Sequence, residues 1–416
     1  MKTTKLFLTI ILLFALKTTM SQETWYVHYV GYYPYPYMPN LNSITINKSL
    51  YEGVVCADSG YIAGIAIPIY DWWLPNYNLI TNNNLYGVYD VDSSYITKAY
   101  IVGENGTILK TNDIMYAGNI PFYNQNSPTI NDLYSVYFTN YFSGVAVGDT
   151  GTIVKTTDGG SHWNLISSIT LNKLYSVQFP SVNIGYAAGV NGTVIKTTNG
   201  GGNWVMKTQA IADTLRCIWF TDDNTGFVVS RNGAIYKTTD GGNNWQSKPS
   251  GTTQNLNAIR FYSTSIGYAG GNNNTILKTT NEGENWTIQT LPPIPNLGNY
   301  KSISISLAGE VALVGSNGNA IANYPEPGYI NNYMKDGDVV ITPNPAKDYI
   351  NINTGLYDKL ILQIYNTQGQ RVCEQKLTQG LSQISISNYM SGLYLYQVTD
   401  DKGKVIGKGK WVKGKK

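Results

Sequence analysis

The sequence predicts an all-β protein, a seven-bladed β-propeller followed by a small C-terminal β-sandwich. Three observations carry this. Trp163, Trp204, Trp245 and Trp286 recur every 41 residues, and Lys155, Lys196, Lys237 and Lys278 keep the same step. A fixed period of this size with turn signals inside each unit points to propeller blades. The composition is rich in Gly (42) and Tyr (34), and only 13% of residues are charged, against a usual share of roughly 25%. That composition argues against a helical bundle, a coiled coil or a charged disordered chain. After residue 21 no apolar run approaches the roughly 18 residues of a membrane-crossing helix, so no transmembrane anchor is expected.

Residues 1–21 open with Lys2 and Lys5, continue with an apolar run from Leu6 to Leu16, and end with Thr19 and Ser21 at −3 and −1 of a cleavage site. This is the layout of a secretory signal peptide. The propeller is expected over 22–330, a linker over 331–339 and the C-terminal domain over 340–416. Formal charge follows the same division: 1–21 carries +3, 22–340 carries −6 and 341–416 carries +6. The acidic body gives no nucleic-acid footprint.

One repeat reads as four strands. Leu174 to Phe179 is the first, and Gly185 to Gly189 the second. Asn191-Gly192 turns the chain, because both positions tolerate φ > 0. Thr193 to Thr198 is the third strand, and Trp204 opens the fourth. Four antiparallel strands make one blade. First strands are expected at Leu50, Leu85, Leu133, Leu174, Leu215, Leu256 and near Leu297. The seventh unit lacks a Trp-led fourth strand, so Thr24 to Val30 is expected to supply it and close the ring, removing exposed edges. The units over Leu50–Thr81 and Leu85 to about Asn131 are degenerate.

Each Trp is preceded by a turn of the pattern S/T-x-D-x-G-x-x-W, an Asp-box, with Asp158, Asn199, Asp240 and Asn281 before Trp163, Trp204, Trp245 and Trp286. The Asp or Asn side chain can accept turn amides, Gly permits the left-handed backbone, and Trp buries a large ring. A folding staple is expected here rather than an ion site. The mature chain has three widely spaced cysteines, Cys56, Cys217 and Cys373, and two histidines, without metal spacing. No disulfide framework, metal site or cofactor is expected.

The rim away from these turns is built from the loops before the first strands and the turns between second and third strands. It offers Glu104, Asp132, Asp149 and Asp213, the acids a glycosidase would need as a close pair. Asp is also an ordinary turn residue there, so no catalytic residues are assigned. A binding reading suits the residues better. First strands carry Tyr51, Tyr86, Tyr134, Tyr137, Tyr175 and Trp219, most of them expected in interblade packing, and Arg216, Arg231 and Arg260 fall on two adjacent units. Aromatics with Arg are common anchors of recognition surfaces. Arg216, Trp219, Arg231 and Arg260 are the expected binding patch.

The repeats resemble the BNR/Asp-box propellers, and the GYAAG–NG–T[IV][IVL]KT–[TDN]GG–NW run is most similar to the photosystem II stability/assembly factor type. In Asp-box propellers the Asp-box turns lie opposite the usual binding face. A sialidase within this superfamily would need three arginines spread around the ring, which the chain lacks. The tail carries Val340-Ile341-Thr342-Pro343-Asn344-Pro345-Ala346, then Gly369, Gly392 and Tyr394 within GQ and SGLY motifs, and a Lys-rich end. It resembles the type IX secretion C-terminal sorting domain (type A). That resemblance implies the type IX secretion machinery as a partner and a secreted or outer-surface location. Together these features predict a monomeric, non-enzymatic binding scaffold with a protein or polysaccharide ligand. A glycoside hydrolase of the xyloglucanase or sialidase-like propeller type is the alternative.

Overall fold

The computed structural model describes residues 24–29, 39–46, 52–66, 80–91, 98–112, 121–207, 211–292, 298–306, 309–324, 340–342, 349–353, 359–377 and 381–413. The signal peptide, the linker and Pro343, Asn344 and Pro345 lie outside them. The chain divides into two units, one up to Pro325 and one from Glu326. Among the described residues no helix is long and apolar enough to cross a membrane.

The first unit is a seven-bladed propeller. Its first strands are Leu41–Ile46, Leu85–Val91, Leu133–Phe138, Leu174–Gln178, Cys217–Phe220, Leu256–Phe261 and Tyr300–Ile305. Each packs on the next, and the last packs on Leu41–Ile46, so the ring closes. Six blades are four-stranded; in blade 1 three strands are described. The outer strand of blade 7 is Thr24–Tyr29, antiparallel to Asn319–Tyr324 with Trp25 opposite Asn323. Trp25 is buried and meets Tyr268 of blade 6 edge-on, with ring centroids 6.3 Å apart.

The start of blade 1 corrects the sequence reading. Leu50 lies outside the described residues, and the first strand is Leu41–Ile46. The segment Glu52–Ala57, followed by Asp58-Ser59-Gly60, is the counterpart of Gly144–Gly148 followed by Asp149-Thr150-Gly151. It is therefore a second strand, and Ser59 takes the left-handed conformation (φ 56°) that Asn191 takes in blade 4 (φ 54°). With neither Asn-Gly nor Trp to mark it, this blade had no local register signal. Leu297 likewise lies outside the described residues, and blade 7 begins at Tyr300.

The four turns before the tryptophans share one hydrogen-bond pattern. Thr156 Oγ1 donates to Asp158 Oδ1 at 2.9 Å and accepts the Gly160 amide at 2.9 Å, while Asp158 Oδ1 accepts the His162 amide at 2.9 Å. Thr197 with Asn199, Thr238 with Asp240, and Thr279 with Asn281 repeat it. Each following Trp stands edge-on to the Phe at or just past the end of its own first strand: Trp163 on Phe138, Trp204 on Phe179, Trp245 on Phe220, Trp286 on Phe261, at 5.9 to 6.1 Å. In these four blades the first residue of the second strand must be glycine to fit: a Cβ at Gly185 would lie 2.4 Å from the Phe179 ring, and Gly144, Gly226 and Gly267 meet Phe138, Phe220 and Phe261 in the same way.

The second unit is a two-sheet β-sandwich. Alternation along Leu360–Tyr365 points Leu360, Leu362 and Ile364 inward, and Tyr394 stacks on the buried Trp411 at 4.9 Å. Gly369 occupies a left-handed turn position (φ 78°).

Candidate functional site

In six of the seven first strands, the residue after the leading Leu or Tyr is skipped in the pairing with the second strand. A bulge of this kind re-aims a side chain. Repeated around the ring, it sets Asn42, Tyr86, Tyr134, Tyr175, Asn257 and Lys301 at one mouth of the central channel, and Arg216 completes the circle in blade 5. This is the mouth of the second-to-third-strand turns, since Asp149 of one such turn bonds through its amide to the Asp132 carbonyl before the first strand.

Four consecutive blades form a continuous arc. Tyr86 and Tyr134 stand 5.2 Å apart, Tyr134 and Tyr175 5.3 Å, and the Arg216 guanidinium lies 4.8 Å from the centroid of Tyr175. All four residues are half-buried. Lys173 Nζ reaches the Tyr134 hydroxyl at 2.9 Å and Asp149 Oδ1 at 2.7 Å. Partial burial opposes its charge, yet the bonds to Asp149 and Tyr134 hold its ammonium above the usual lysine range. Burial pushes the Tyr134 hydroxyl up to about 12 and raises that of Tyr86. Both hydroxyls are therefore protonated at neutral pH. Across the mouth, Lys301 donates to Asn42 Oδ1 at 2.7 Å, and burial lowers its affinity for a proton.

Deeper in the channel stand Tyr89, Tyr137, Trp219 and Arg260. The rings of Tyr89 and Tyr137 are 4.5 Å apart. Arg260 lies 4.4 Å over Trp219, with Nε donating to the Ile303 carbonyl at 3.2 Å. Neighbouring first strands are tied by serines: Ser43, Ser135, Ser176 and Ser302 each accept an amide of the next first strand around the ring. The cavity so enclosed measures about 140 Å³.

Of the expected patch, Arg216, Trp219 and Arg260 line this one cavity, whereas Arg231 sits on an exposed turn outside the lining. Lys173 and Lys301 went unnoticed in the sequence, although a 41-residue step links Tyr134, Tyr175 and Arg216 directly. Tyr51 lies outside the described residues, and Asn42 holds the equivalent position in blade 1.

Glu104, Asp132, Asp149 and Asp213 do not line the cavity. Glu104 accepts the Asn84 amide at 3.1 Å and Asp213 accepts the Thr214 amide at 2.6 Å. Asp132 and Asp149 share the Tyr134 hydroxyl at 3.5 and 3.2 Å. Among the described residues no group of three His, Cys, Asp or Glu could hold a metal ion. Cys56, Cys217 and Cys373 are unpaired thiols, and burial pushes the Cys56 thiol up.

The family described as photosynthesis system II assembly factor YCF48 matches residues 116–253 and 207–295. The secretion system C-terminal sorting domain matches residues 340–412; a domain of this kind directs export through type IX secretion to the cell surface or outside. No curated protein matches the sequence. Among solved structures, "YCF48 bound to D1 peptide" is similar with a TM-score of 0.59 and 13% identity, covering 74% of this chain and 97% of that one. YCF48 from Cyanidioschyzon merolae gives 0.58 and 15%, covering 73% and 99%. A streptogramin B lyase gives 0.60 and 14%, covering 72% and 97%. At these identities the likeness shows the fold alone, and one fold hosts both binding proteins and enzymes. The chain carries a BNR-type propeller resembling the photosystem II stability/assembly factor type, followed by a secretion system C-terminal sorting domain.

Proposed function

We propose that this protein is an exported, monomeric binding scaffold that grips an extended protein segment at the channel mouth formed by Tyr86, Tyr134, Tyr175 and Arg216. The carrying observation is the unbroken arc of three tyrosines and an arginine over four adjacent blades. Rigid aromatic rings beside a guanidinium are favoured anchors in recognition surfaces, and Trp219 and Arg260 extend the arc inward from Arg216. That a similar propeller is described as bound to a peptide supports the choice of ligand class. Residues 1–21 act as the signal peptide, and the turns at Asp158, Asn199, Asp240 and Asn281 act as Asp-box staples.

One observation favours a glycoside hydrolase instead: Asp132 and Asp149 meet at one tyrosine hydroxyl. Both carboxylates are committed elsewhere, Asp132 to the Asn105 amide and Asp149 to Lys173, so the scaffold is preferred.

Selection of a phage-displayed dodecapeptide library on the purified full chain tests the proposal. Enriched peptides should bind at least ten-fold more weakly to Tyr134→Ala and Arg216→Ala, with melting curves unchanged. Failure to enrich any sequence, or binders indifferent to both substitutions, would reject the arc as the site. Release of reducing ends from plant, algal or bacterial polysaccharides would move the assignment to the hydrolase.

A further inference from the structure

A second cavity, of about 320 Å³, opens at the other end of the channel. Its wall includes Asn140 and Tyr262, which lie in the hairpins between first and second strands of blades 3 and 6. The Trp turns bond to these same hairpins, Gly159 to Phe142 and Glu282 to Ser265. The cavity therefore lies on the face of the Trp turns. Tyr89, Tyr137, Trp219 and Arg260 line both cavities and so form the neck between them.

The chemistry of this pocket is specific. Among the described residues Asp90 and Arg260 are its charged ones, one of each sign. The Arg260 plane is fixed by the Trp219 face and by its bond to the Ile303 carbonyl. The Asp90 carboxylate accepts the Thr45 hydroxyl. Ser304 and Ser306 add further hydroxyls, and the Tyr89–Tyr137 pair adds aromatic surface.

We infer that this mouth is a binding site for a single neutral sugar ring. A sugar hydroxyl can donate to a carboxylate while its neighbour accepts from a guanidinium, and such charge-assisted bonds are the strong ones. The C–H faces of the ring need flat apolar partners, which the tyrosines of the wall, the exposed Tyr262 among them, provide. An anionic ligand would gain Arg260 but meet the Asp90 charge, and a cationic one the reverse, so opposite charges on one wall favour a neutral polyol. The volume stands at the small end of the roughly 300–1,000 Å³ typical of ligand pockets, enough for one ring rather than a polymer segment. The site shares Trp219 and Arg260 with the inner end of the peptide arc, but the two can be tested apart, because Asp90 lines only this cavity and Tyr134 and Arg216 only the other.

Saturation-transfer NMR on the full chain, with glucose, galactose, mannose and xylose offered singly and galacturonate as the charged counterpart, tests the inference. At least one neutral sugar should show transfer to its ring protons. Its affinity should fall at least ten-fold in Asp90→Asn and be unchanged in Tyr134→Ala. Arg260→Lys, which keeps the charge but loses the planar fork, should show the same loss and serves if Asp90→Asn does not fold. Absence of transfer from all four neutral sugars, preferential binding of galacturonate, or binding that survives the substitutions would each overturn it.

Discussion

The Asp132 carboxylate accepts the backbone amide of Asn105 at 2.9 Å, clipping blade 3 to the turn of blade 2. Asn84 does the same for Ser59, Asn255 for Asn232, Asn299 for Asn273 and Asn40 for Asn317. In every case the donor residue is in the left-handed conformation, which aims its amide at the following blade. Because a neutral amide does this work at four junctions, the acid at Asp132 is not required by it. Asp132→Asn should leave the denaturation midpoint within experimental error, while Asp132→Ala should cost about 0.5–1.5 kcal/mol, the net worth of the lost bond to an exposed amide. Urea unfolding of the two variants side by side checks this.

Trp25 bears on ring closure. It is 4% exposed and packs among Tyr268, Tyr300 and Leu313. Trp25→Ala should cost about 3–5 kcal/mol, the range for emptying a large aromatic site. Removal of residues 22–30 should lower the melting temperature by many degrees, because Asn319–Tyr324 then becomes an open edge. A melting curve unaltered by the deletion would show that the strand is dispensable.

The Trp turns carry an acid dependence. Bonds from the backbone and side chain of His162 hold the Asp158 carboxyl down to about 2, and those from Asn244 do the same for Asp240. Unfolded, each titrates near 3.9. A depressed carboxyl contributes stability that is present above the unfolded value and is lost as pH falls from about 4 towards 2. Asn199 and Asn281 fill the same position without titrating. The double variant Asp158→Asn, Asp240→Asn should therefore lose less stability than the parent over that window, as measured by melting at stepped pH.

Glu310 has the opposite sign. It is 1% exposed, and burial pushes its carboxyl up to about 7. Its contribution is greatest while it is protonated, and it declines as pH rises from the unfolded value of about 4.3 towards 7. Glu310→Gln should melt higher than the parent at pH 8 and match it near pH 4.

The sorting domain makes an export prediction. Deleting residues 340–416 should leave a folded propeller in the periplasm, detected by fractionation and immunoblotting. Recovery of the shortened protein outside the cell would assign export to another part of the chain.

Blades 3 to 6 were legible in the sequence because each is a local unit whose parts lie within 41 residues of one another. Left-handed glycines, the Thr–Asp or Thr–Asn turn and the Trp that seals it all recur at short, fixed spacing. Blade 1 was misplaced because Asp58-Ser59-Gly60 makes the same turn without the same letters, so its register is decided only by pairing with Leu41–Ile46. The role of residues 24–29 could be guessed from a missing strand, since closure leaves no free edge. The site was a different matter. A tyrosine at the second position of a first strand can pack between blades or face the channel, and local sequence does not distinguish them. The bulge and the ring closure aim Tyr86, Tyr134, Tyr175 and Arg216 at one mouth, while Asp90, more than forty residues from both Tyr137 and Thr45, joins Arg260 at the other. The repeat fixes each blade through short-range contacts, but the chemistry of the channel arises from side chains of seven blades meeting on one axis, and only the closed tertiary structure sets that meeting.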